Sequence, residues 1–145
     1  MKSQGEIEAA VCDGVSKFQQ EAIGRGPQDI RCHLLGSIVV VRLQGTFTPA
    51  ERLLLSPESV AAGNGHGQRE FAASPPHDGD DGWVLVKKLR HHVVANGRGR
   101  LGQLIEEAVG VRLVSVHHDI STVTGEEMLV FSLSEPPNCR PKRKP

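Results

Sequence analysis

Two pairs of short alternating segments, each pair joined by only a few residues, constrain this chain more than any other feature. Strands joined that closely must lie antiparallel, because a parallel return needs a crossover of about a dozen residues or more. The first pair is Asp29–Leu35 and Ser37–Gln44, turning at Gly36. In its second strand Val39, Val41 and Leu43 share one face, and Ile38, Val40, Arg42 and Gln44 share the other. In its first strand Ile30, Cys32 and Leu34 lie opposite Arg31 and His33. The second pair is Val111–Ile120 and Glu127–Ser134, joined across Ser121–Glu126. Leu129, Phe131 and Leu133 face one side of it, and Met128, Val130 and Ser132 face the other.

A helical pattern precedes each hairpin. Over residues 3–23 the apolar positions Ile7, Val11, Val15, Phe18 and Ala22 fall on one stripe. Ser3 and Glu6 fit a capping box, Gly24 suits a left-handed C-terminal position, and Pro27 blocks continuation. Thr48-Pro49-Ala50-Glu51 is a second helix start: Thr48 caps, Pro49 needs no amide partner there, and Glu51 reaches back. That helix runs through Leu55. From Trp83 to Val109 the helical period returns, with Val86, Leu89, Val93, Leu101, Leu104, Ile105 and Ala108 in line and Gly110 as the stop. Asn96-Gly97-Arg98-Gly99 interrupts it. A glycine there is worse than alanine by about 0.8–1 kcal/mol, which predicts a kink or break near 96–99.

The order αββαββ gives an α+β, two-layer sandwich: an antiparallel four-stranded sheet with helices on one face. The other sheet face is then solvated or covered by a second copy, so a homodimer is expected. Residues 56–82, rich in Gly and Pro, read as a flexible insertion within a single domain spanning 1–134. Residues 135–145 read as a disordered basic tail.

Composition excludes several classes. A chain of 145 residues fits one domain. Lys+Arg and Asp+Glu both number 17, whereas dedicated nucleic-acid binders are basic. Aromatics make up 3% with no Tyr, too few for base or sugar stacking platforms. The longest apolar run, Ile38–Val41, is far short of the roughly 20 residues of a spanning helix. The polar N-terminus has no signal-peptide core, and Cys12, Cys32 and Cys139 form no CxxC pair. These features predict a soluble cytoplasmic protein.

The richest polar string is Ser115-Val116-His117-His118-Asp119-Ile120-Ser121-Thr122-Val123-Thr124-Gly125-Glu126. On a strand His117 and Asp119 point one way and His118 the other, so the three cannot grip one metal. His117 with Asp119 makes half a site at most, which Glu126 or His33 would have to complete. The structural reading is turn chemistry, with Ser and Thr hydroxyls bonding nearby backbone. Gly24-Arg25-Gly26-Pro27, with Arg31 and Arg42, reads either as a helix end with a solvated Arg or as an anion cradle. No Walker loop is present. Neighbouring Cys32 and His33 point apart, which disfavours a Cys–His catalytic pair.

Three segments together resemble the small MpsC-like bacterial family, whose name comes from a cation-translocating, membrane-potential-generating system. They are Gly24-Arg25-Gly26-Pro27 before a hairpin, Val41-Arg42-Leu43-Gln44-Gly45-Thr46-Phe47-Thr48-Pro49-Ala50-Glu51, and the run from Val111 through Glu126. The chain departs from the family pattern in the insertion at 56–82 and at Gly97-Arg98-Gly99. The resemblance implies a non-enzymatic cytosolic accessory protein. Its implied partners are membrane subunits linked to ion movement and inorganic-carbon uptake. It carries no catalytic residue, metal or cofactor. It makes Arg25, Arg42, His117, Asp119, Ser121, Thr122, Thr124 and Glu126 the candidate shared surface. The alternatives are a small-anion sensor using Arg25, Arg31 and Arg42, and a metal-dependent hydrolase.

Overall fold

The computed structural model describes residues 1–55 and 78–140. Its elements are α1 (Gln4–Ile23), β1 (Asp29–Leu35), β2 (Ile38–Gln44), α2 (Pro49–Leu55), α3 (Asp78–Asn96), α4 (Arg98–Val109), β3 (Leu113–Ile120) and β4 (Glu127–Leu133). The four strands form one antiparallel sheet in the order β1-β2-β4-β3. The architecture is the expected α+β arrangement, with three helices among the described residues where the order αββαββ has its central α. The chain divides into two compact units, Met1–Thr46 with Val93–Pro145, and Phe47–His92.

In the first unit α1 and α4 bury their apolar stripes against one face of the sheet. Ile7, Val11, Val15 and Phe18 of α1 meet Leu101, Leu104, Ile105 and Val109 of α4 and the inward strand residues. Val39, Val41 and Leu43 are fully buried, so the period of two seen in the sequence is the sheet's inner face. The Ser3 hydroxyl accepts from the Glu6 amide at 3.1 Å, and the Glu6 carboxylate accepts from the Ser3 amide at 2.8 Å. Gly24 ends the helix at φ +92°, a conformation that favours glycine. On edge strand β1, Leu34 donates its amide to Glu8 at 2.8 Å and accepts from the Gln4 amide at 3.0 Å through its carbonyl. Side chains of α1 thus occupy backbone groups that an edge strand otherwise leaves open.

The helix break falls at Gly97. A Cβ there would sit 2.6 Å from Cζ of Phe18, so only glycine lets the ring pack against this turn. The Gly97 amide still donates to the Val93 carbonyl at 2.9 Å, and its carbonyl accepts from Leu101 at 2.8 Å.

In the second unit Thr48 caps α2 as expected. Its hydroxyl accepts from the Glu51 amide at 3.2 Å, and the Thr48 amide donates to Glu51 at 2.8 Å. Glu51 also receives two bonds from Arg90, both 2.7 Å, with both side chains buried. The Arg90 guanidinium stands 5.7 Å from the Phe47 ring centroid, and Trp83 meets Phe47 edge-on at 5.9 Å.

Several expectations are corrected. Helix α3 starts at Asp78 rather than Trp83, so residues 78–82 of the expected insertion are helical; residues 56–77 lie outside the described residues. Leu89 is 50% exposed, and the buried face of α3 runs through Val86 and Arg90 instead. Strand β3 starts at Leu113 with an irregularity before Ser115. The expected disordered tail is fixed as far as Arg140. The Arg140 amide donates to the Lys2 carbonyl at 3.0 Å, and Cys139 packs against the core. Residues 141–145 lie outside the described residues.

Candidate functional site

The β3–β4 turn is built by its own side chains. The Ser121 amide donates to the Glu126 carbonyl at 2.9 Å, and the Gly125 amide to the Ser121 carbonyl at 2.9 Å. The Ser121 hydroxyl accepts from the amides of Val123 and Thr124, each at 3.1 Å. The Thr124 hydroxyl accepts from the Glu126 amide at 3.2 Å. Two of the candidate hydroxyls therefore hold the turn's shape, as Ser and Thr commonly do. Thr122 is exposed, and Val123 at the tip is 91% exposed.

Arg42 and Glu126, distant in sequence, are brought together. The Arg42 Nε donates to a Glu126 carboxylate oxygen at 2.7 Å, on the partly solvated side of the sheet. Arg31 stands directly across from Arg42 in the β1–β2 register. Like charges facing across strands repel, and here each has its own carboxylate: Asp29 lies 3.6 Å from Arg31. Arg25 is half-buried in the connection between α1 and β1. That connection lies at the same end of the sheet as the β3–β4 turn. The Gln28 amide bonds the Gln44 carbonyl at 2.9 Å, and Leu43 and Ile120 both pair with Glu127.

His117 and Asp119 are exposed together on the outer face, with the Ser115 hydroxyl 3.4 Å from His117 Nε2. His118 turns the other way, as the alternation requires. Among the described residues no group of three or more His, Cys, Asp or Glu side chains is placed to hold a metal ion.

The sequence reading missed a buried polar cluster beneath this end of the sheet. His118 Nε2 lies 2.7 Å from one Glu127 carboxylate oxygen, with the side chains 3% and 2% exposed. The Gln19 amide nitrogen, from α1, donates to the other oxygen. The signal was present: Glu127 continues the buried series Leu129, Phe131 and Leu133, and His118 alternates in step with Ile120. Cys32 is also buried. Burial, then Cys12 and Glu8, push its thiol up to about 12, and burial raises Cys12 as well. Neither supplies a thiolate nucleophile at neutral pH.

The fold defines a two-layer α+β domain with an exposed, hydrogen-bonded turn at one end of its sheet. The chain belongs to the MpsC family: the family model, described as "Na+-translocating membrane potential-generating system (MpsC)", matches residues 3–63 and 77–135. The chain is similar to the uncharacterized protein YbcI of Bacillus subtilis (strain 168), 27% identical over 132 residues, which is 91% of this chain and 89% of that one. No solved structure matches the chain. Among the described residues no helix is long and apolar enough to cross a membrane.

Proposed function

We propose that this chain is a non-enzymatic accessory component of a Na+-translocating membrane system. It works as a homodimer on the cytosolic side, docking on membrane-embedded subunits through the turn end of its sheet. The family description supports the link to such a system. The observation that carries the docking surface is Val123, an apolar side chain 91% exposed on a turn whose backbone is tied down. A fixed turn loses little freedom on binding, so its exposed groups are available for contact at low entropic cost. Arg42 and Glu126 pair at the same end of the sheet, and His117 and Asp119 are exposed on the strand that leads into the turn.

Affinity capture from native membranes tests this reading. Wild type should recover a membrane transport subunit, and a Val123→Glu variant, folded by circular dichroism, should recover much less. Equal recovery by both removes this surface from the contact. Recovery of no membrane protein by wild type contradicts the accessory role.

A further inference from the structure

The sheet's outer face carries a pattern that α1 and α4, packed on the other face, leave unused. Across the four strands the register lines up His33, Val40, Val130 and His117 in one row. The next row toward the turn end is Arg31, Arg42, Met128 and Asp119. The centre of the first row is apolar, Ile38 beside it is 42% exposed, and the centre of the second row sets Met128 beside Arg42, whose charge is already paired with Glu126. The edges of the second row have opposite sign: Arg31 on β1 and Asp119 on β3, both exposed.

That pattern is self-complementary under one symmetry. A two-fold axis parallel to the strands keeps each row in place and exchanges the β1 edge for the β3 edge. Val40 then faces Val130 of a second copy, His33 faces His117, and Arg31 faces Asp119. A two-fold axis across the strands reverses the rows and sets Arg31 opposite the row of Leu35 and Ile38, where no acidic group stands. Edge-to-edge pairing through β1 is hindered, because Glu8 and Gln4 already occupy the Leu34 backbone groups.

We propose that the outer face of this sheet packs on the same face of a second copy about a two-fold axis parallel to the strands, each Arg31 opposite the other copy's Asp119. The result is an isologous interface, with two sheets in the aligned packing class. The proposal rests on the dimeric part of the reading above and supplies its geometry. It leaves the turn end of each sheet free at the rim.

Charge exchange tests it on the full-length chain, by sedimentation velocity over a concentration series at low salt. Wild type should be dimeric. Arg31→Asp and Asp119→Arg should each weaken the dimer by about tenfold or more, since each sets like charges face to face. Mixing the two variants should restore a heterodimer, because each then supplies what the other lacks. Circular dichroism verifies that both are folded. A monomeric wild type, a dimer indifferent to both reversals, or two weakened variants that fail to associate on mixing would overturn the proposal. Membrane capture read with Val123→Glu, a position in the turn and outside these rows, tests the docking role separately.

Discussion

His118 on β3 and Glu127 on β4 meet at 2.7 Å beneath the sheet, where water has almost no access to either. Gln19 holds the second carboxylate oxygen from α1, so one acidic group ties the helix layer to both strands of the second hairpin. Removing one partner of a buried pair typically costs about 3–5 kcal/mol, whereas replacing both by apolar groups is often near neutral. Glu127→Ala should therefore lower the urea midpoint steeply, and His118→Leu/Glu127→Leu should lower it far less. Equal loss in both variants would show that the apolar packing, not the polar pairing, holds this region.

Acid should loosen the unit Phe47–His92. Burial pushes the Glu51 carboxyl up, but the Arg90 guanidinium and the Thr48 bonds outweigh it and leave it below its usual 4.5. A folded value below the unfolded one stabilises above the unfolded value and is lost as pH falls through the folded one. Trp83, the chain's one tryptophan, packs on Phe47 in this unit and reports on it. Urea unfolding followed by Trp83 fluorescence should shift to lower denaturant from about pH 5 downward. Glu51→Gln should be weaker at neutral pH, with a flatter acid dependence. Parallel profiles for the two proteins would contradict this.

Gly97→Ala should destabilise by about 1–3 kcal/mol, the usual effect of overpacking. The new methyl would press on the Phe18 ring, which is part of the main core. Phe18→Leu in the same chain should restore part of the loss, and thermal unfolding of the single and double variants measures it.

Cys32 should resist alkylation at pH 8 until the chain is unfolded. Its thiol is buried and pushed up to about 12, and only the thiolate reacts. Peptide mapping after iodoacetamide, with and without urea, follows it directly. Rapid labelling of Cys32 in the folded protein would contradict the packing of β1 against α1.

The features readable from sequence were those fixed by near neighbours. The capping boxes at Ser3 and Thr48 close over three residues, and the hairpins declare themselves through a period of two. Long-range pairings were not readable in that way. Arg42 and Glu126 meet only because β2 lies beside β4, a pairing that neither hairpin specifies by itself. The apolar period alone selects Leu89 for the buried face of α3, yet Arg90 is buried because Glu51 and Phe47 receive its guanidinium. His118 and Glu127 are hidden in the same way: the alternation puts them inside, and their polarity argues against it.

The exposed turn end of the sheet is the centre of the functional account, and Val123 carries the apolar side chain exposed at its tip. Binding of purified protein to native membrane vesicles, with Val123→Glu beside wild type, tests it most directly. The account predicts saturable binding by wild type that protease treatment of the vesicles abolishes. It also predicts affinity at least about tenfold weaker for the variant, since a charge placed in a desolvated contact is costly. Equal binding by the two proteins would contradict it.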